Sequence, residues 1–224
     1  MTSRAAALRR LGWVTLFAAA FALVEASVVI YLRALYYPGG FAFPLQQIPP
    51  VHLGVELARE VATIVMLAAV GILSGTARWE RFGGFLVAFG AWDLLFYAWL
   101  KVLLGWPASF FDWDILFLLP VPWIGPVIAP LSVAALMMLI GVAAVLRLAG
   151  GRAFHPQLGS WLCAIGGTAV ILVSFMMDTD AGLQGAMPSP YRYDLLVIGL
   201  LLLAAGFVAA CRGLKDRAPL EGRL

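Results

Sequence analysis

Pro49-Pro50-Val51-His52-Leu53-Gly54-Val55-Glu56-Leu57-Ala58-Arg59-Glu60 is the polar opening of a segment that then runs apolar to Gly75. Read at helical spacing, His52, Glu56 and Glu60 fall on one stripe, with Arg59 beside it. Two prolines ahead of the stripe suit the first turn of a helix. The stretch therefore predicts a helix whose charged half leads into a membrane.

The composition supports that reading. With 63% hydrophobic and 12% charged residues and a mean hydropathy of +0.96, the chain cannot face water on all sides. It reads as an integral membrane protein whose first partner is the lipid bilayer. A hydrocarbon core about 30 Å thick needs roughly 20 apolar residues per crossing. Six runs qualify, at about 12–36, 51–75, 82–104, 124–148, 158–177 and 193–213. The short connections leave no room for a soluble domain. The expected fold is an all-α, six-helix transmembrane bundle of three hairpins, forming one domain over residues 1–224.

The run from Ile115 to Leu148 is too long for one crossing, and prolines at 120, 122, 126 and 130 interrupt it. Ser109 to Leu119 is read as a short interfacial or re-entrant helix with Ser109 and Asp112 at its start, followed by a bend into helix 4. Arg4, Arg9 and Arg10 ahead of an apolar run resemble a signal peptide. The run continues through Val28 to Leu32, too far for a signal sequence, and is kept as helix 1.

Arg4, Arg9, Arg10, Arg78, Arg81, Arg147, Arg152, Arg212, Lys215, Arg217 and Arg223 flank one side of a six-helix weave, against Arg33, Arg59, Lys101 and Arg192 on the other. The positive-inside rule predicts a cell-membrane protein with both termini cytoplasmic. The basic pI near 9.1 thus reports topology, and no nucleic-acid partner is inferred. Cys163 and Cys211 fall near cytoplasmic helix ends, as reduced thiols without metal-ligand spacing.

Acidic residues lie in the apolar runs. Glu25 is eight residues from Arg33, Asp93 eight from Lys101 and Glu60 eight from His52, each about 12 Å along a helix. If Arg33, Lys101 and His52 mark the outer interface, Glu25, Glu60 and Asp93 share one layer, with Glu56 one turn above. Unpaired charge at that depth costs several kcal/mol, so these acids should turn inward and meet. A weak repeat agrees: Ala20-Phe21, Glu25, Leu32-Arg33 and Leu35 recur as Ala88-Phe89, Asp93, Leu100-Lys101 and Leu103.

One reading of these groups is a salt-bridge network fixing helix register. The sharper reading is an outward-opening carboxylate site for metal binding or acid–base chemistry on a small or lipid-like molecule. Glu60, Asp93, Tyr97, Arg59 and Lys101 are the candidate catalytic groups, Arg59 and Lys101 serving as charge balance or anion clamp. Glu25, His52, Glu56, Glu60 and Asp93 are the candidate ligands, a mixed N/O set suited to a divalent metal. No nucleotide loop, HExxH pattern or nucleophile elbow names a reaction. A non-catalytic accessory subunit of a larger membrane complex and an ion- or proton-coupled transporter are the alternatives. Trp92, Tyr97, Trp99, Trp106, Trp113 and Trp123 are expected mostly in an interfacial belt, the alternative being that some line a pocket for an apolar or lipid-like molecule with Tyr97 as a proton donor, and Asp112-Trp113-Asp114 is expected at a solvated helix start.

Overall fold

The computed structural model describes residues 3–46 and 48–212. The chain is mostly helical: α1 (Ser3–Tyr36), α2 (Pro50–Leu73), α3 (Arg78–Leu104), a hairpin of β1 (Trp113–Phe117) and β2 (Trp123–Pro126), α4 (Ile128–Ala149), α5 (Leu158–Met176), the short α6 (Thr179–Gln184) and α7 (Tyr193–Arg212). Among the described residues, α1, α3, α4, α5 and α7 are each long and apolar enough to cross a membrane. α2 has the length, at 24 residues, yet any 18 consecutive residues within it include Glu56, Arg59 and Glu60. Lys215, Arg217 and Arg223 lie outside the described residues.

α3 is the centre of the first four long helices. α1 presents it with a stripe of buried and mostly small residues, Ala7, Leu11, Val14, Ala18, Ala22 and Ala26. Small side chains let helix backbones approach closely where no hydrophobic force separates lipid from protein. Arg10 pairs with Glu80 at 3.5 Å and Phe21 stacks on Trp92, so α1 and α3 run parallel. α2 runs the other way against α3: a Cβ on Gly71 would lie 2.6 Å from that of Phe85. α4 is also antiparallel to α3, and a Cβ on Gly141 would lie 2.6 Å from the Gly83 carbonyl oxygen. Gly105 ends α3 at φ +69°, a left-handed cap that suits glycine.

α5 and α7 form a separate antiparallel pair. Gly167 and Gly199 meet across it, each with a hypothetical Cβ within 2.8 Å of the other's carbonyl oxygen. Gly166, its neighbour on α5, has open space around it.

The expected helix over Ser109–Leu119 is not formed. Asp112 Oδ2 instead accepts the Ala108 and Ser109 amides at 2.7 and 3.1 Å, closing a tight turn. Trp113 to Phe117 then pairs antiparallel with Trp123 to Pro126, in the register Trp113 with Pro126, Asp114 with Gly125 and Ile115 with Ile124. Aromatic and β-branched residues favour a strand here, and Pro120 and Pro122 remove the amides a helix would need. α4 accordingly opens at Ile128, four residues after the expected start.

The two adjacent glycines of α5 provide a controlled comparison. Gly167→Ala should destabilise the protein by about 1–3 kcal/mol through overpacking against α7. Gly166→Ala should be neutral or stabilising, by up to about 1 kcal/mol, from helix propensity. Thermal unfolding of the two variants in one detergent checks this, and equal effects would contradict the close crossing.

Candidate functional site

Arg59 is the hinge of the polar cluster. Its guanidinium donates from Nε and Nη2 to Glu56 Oε2, at 2.9 and 2.6 Å, and from Nη1 to Glu25 on α1. Glu25 and Glu56 are 4% and 6% exposed, so the guanidinium neutralises charge that water cannot reach. Placing Glu56 and Arg59 three residues apart on α2 puts them on adjacent turns of one face. Thr63, one turn on, returns its hydroxyl to the Arg59 carbonyl at 3.0 Å.

Glu60 faces the hairpin. Both of its oxygens accept the Leu118 amide, at 3.0 and 2.9 Å, and among the described residues it makes no direct ion pair, Arg59 acting on it only at longer range. A second tie is made at Asp114, whose carboxylate accepts Arg33 Nη2 at 2.9 Å and the Tyr97 hydroxyl at 3.1 Å. Burial pushes the Asp114 carboxyl up to about 6, while Arg33 and Tyr97 act to lower it. Arg33 also lies over the Trp106 ring, 3.7 Å from its centroid.

Two spaces meet beneath the hairpin. A polar pocket of about 70 Å³ is bordered by Glu25, Arg59, Glu60, Asp93 and Tyr97, with Trp92, Phe96 and Phe117 as its aromatic walls. A cleft of about 420 Å³ lies between α3 and α4 on one side and α5 and α7 on the other. Its walls are almost wholly apolar, from Leu116, Phe117 and Trp123 at the hairpin end to Trp79, Phe154 and Trp161 at the far end. Asp93 borders both spaces, together with Trp92, Leu116 and Phe117. Asp93 itself has no hydrogen-bond or ion-pair partner among the described residues.

The structure thus brings Glu25, Glu60 and Asp93 to one pocket, with Tyr97 and Arg59 beside them. It separates the other candidates. His52 is exposed and hydrogen-bonded to Tyr36, and Glu56 is held by Arg59. Lys101 donates to the carbonyls of Gly105 and Pro107, at 3.1 and 2.7 Å, closing the end of α3. Neither base is free to clamp an anion. Among the described residues, no group of three or more His, Cys, Asp and Glu could hold a metal ion. The expected metal set of Glu25, His52, Glu56, Glu60 and Asp93 is therefore not assembled.

Asp114 is the residue that sequence reasoning misplaced. Expected at a solvated helix start, it is 4% exposed in an ion pair. The matching signal was Arg33, a base with no partner within reach on its own helix. Trp92 belongs to the core rather than to a belt, at 8% exposure. The pocket expected to open at this end is roofed by the hairpin through Glu60 and Asp114.

Arg59→Met leaves Glu25 and Glu56 buried without a counter-ion and should cost about 3–5 kcal/mol. Adding Glu25→Gln should recover part of that loss. Lys101→Met, removing an exposed ammonium, should cost less than about 1 kcal/mol. Thermal unfolding of the single and double variants reads the order, and equal losses for Arg59→Met and Lys101→Met would contradict it.

Compared with known protein families, curated proteins and solved structures, the chain has no match in any of the three.

Proposed function

We propose that this chain is a six-span cell-membrane protein that holds a long-chain, lipid-like molecule in the cleft and carries acid–base chemistry at its polar end. The observation that carries this reading is the place of Asp93, a carboxylate without a partner where the apolar cleft meets the polar pocket. Sites for small molecules are mostly apolar with a few convergent polar groups, and this arrangement fits that description. Asp93 is the group nearest the bound molecule, and Glu60 and Tyr97 stand behind it as further proton carriers.

The proposed orientation puts both termini in the cytoplasm. Arg4, Arg10, Arg78, Arg81, Arg147 and Arg212 fall at one end of the alternating helices, in support of the positive-inside reading. In that orientation the hairpin closes the outer end of the pocket, and a lipid-like molecule enters along the cleft. α2 is the sixth crossing, its three charged residues turned to the cluster.

A second reading, an accessory or assembly subunit with a purely structural network, is favoured by the closed Arg59, Glu25 and Glu56 cluster. Co-purification of stoichiometric partner subunits with the detergent-extracted protein would support it.

The test of the first reading is photolabelling in bilayer nanodiscs with a long-chain alcohol that carries a diazirine in its tail. Label should map by peptide mass to cleft residues such as Leu136, Ile140 and Leu203, and an excess of unlabelled alcohol should remove it. Label confined to outward-facing residues such as Leu162 and Ile165, or insensitive to competitor, would overturn the reading.

A further inference from the structure

We propose that the molecule held in the cleft carries a protonated amine as its polar end: a single-chain amphiphile with an ammonium head. The inference rests on the proposed use of the cleft and concerns the chemistry of the head it receives.

The balance of charge argues for a cation. Glu25, Glu56 and Glu60 stand around one guanidinium, that of Arg59, Asp93 borders the same pocket, and Arg33 is committed to Asp114. In a medium of low dielectric constant this excess of carboxylates is offset by protons or by a bound cation. A head with negative charge would add to the excess and would find no free base, because Arg59 and Lys101 are both occupied.

Hydrogen bonding argues for a donor. Asp93 has no donor of its own, and Glu60 has only the amide of Leu118. Trp92 Nε1, on a residue that borders the pocket, is a donor without a partner, and the carboxylates of Glu25, Glu60 and Asp93 still leave acceptors in excess, which an ammonium meets with three donors at a time. The walls complete the match. Trp92, Phe96 and Tyr97 border the same pocket as Asp93, and aromatic rings attract a desolvated cation.

Size argues for one chain. A polar pocket of about 70 Å³ admits a compact head without a phosphate and glycerol. The cleft, at about 420 Å³, is near the lower end of the usual range for small-molecule sites. Along α3 it runs from Trp79 to Asp93, about 21 Å at 1.5 Å per residue, which suits an extended alkyl tail.

The experiment compares three competitors of one chain length, a primary alkylamine, an alcohol and an alkyl sulfate, against the diazirine alcohol in zwitterionic nanodiscs. With the unvaried protein, the amine should displace cleft label at a concentration about tenfold or more below the alcohol, and the sulfate should be the weakest. Asp93→Asn, shown folded by its unfolding temperature, should reduce the amine's advantage to within about threefold while the alcohol's displacement changes little. Lys101→Gln should leave the order unchanged. Displacement by amine and alcohol at equal concentrations, or by sulfate first, overturns the ammonium head and leaves the lipid cleft standing. The same conclusion follows if Asp93→Asn is folded and keeps the full preference for amine. Absence of competable label in the cleft overturns both. The comparison of the three heads on the unvaried chain decides the question even if Asp93→Asn does not fold.

Discussion

The guanidinium of Arg59, shared by Glu25 and Glu56, is the contact on which the first half of the molecule depends. α1 packs chiefly on α3, through a stripe of small residues. α2 also leans on α3, where Gly71 admits Phe85. Arg59 spans the space between α1 and α2, bonded to Glu25 on one helix and to Glu56 on its own. Its long side chain does what backbone proximity does elsewhere. Glu60, next to Arg59 in sequence and bordering the same pocket, faces the hairpin through the Leu118 amide. The pocket is the volume left between these commitments.

The hairpin is bound to the cluster by polar groups rather than by area. Leu118 offers an amide that its own strand ladder does not use, and Glu60 accepts it. Asp114 reaches the ends of α1 and α3 at once through Arg33 and Tyr97. Apolar packing of Trp123 on Phe175 extends the same element to α5. One short sheet therefore touches both helical groups and sets how far apart they stand, which is how the cleft is kept open.

Much of this was legible in the sequence, and the reasons for the misses are physical. Helices declare themselves by length and hydropathy, so the long elements were found within a few residues, apart from the first turns of α1 and the start of α4. Counting helical rise from basic residues at the outer ends brought Glu25, Glu60 and Asp93 to one depth, and they border one pocket. The hairpin was hidden because Ile115 to Phe117 is part of an apolar run of the kind that fits a buried strand or a helix segment equally well. Its pairing with Trp123 to Pro126 depends on residues beyond two prolines. The partners of Arg33 and Lys101 were equally invisible, since both bases sit at helix ends where a loop decides what they meet. His52 was grouped with Glu56 by spacing alone, and Tyr36 on α1 took it instead.

Three charged residues in every 18-residue stretch of α2 also bear on how the protein is made. A segment that carries Glu56, Arg59 and Glu60 partitions poorly into hydrocarbon by itself, at a cost of about 2.5–3.5 kcal/mol per charged group near the centre. Glu25 is synthesised first and can already lie within the bilayer when Arg59 leaves the ribosome. On the proposed six-span reading, α1 would serve α2 as an insertion partner, the two helices entering as a neutralising pair.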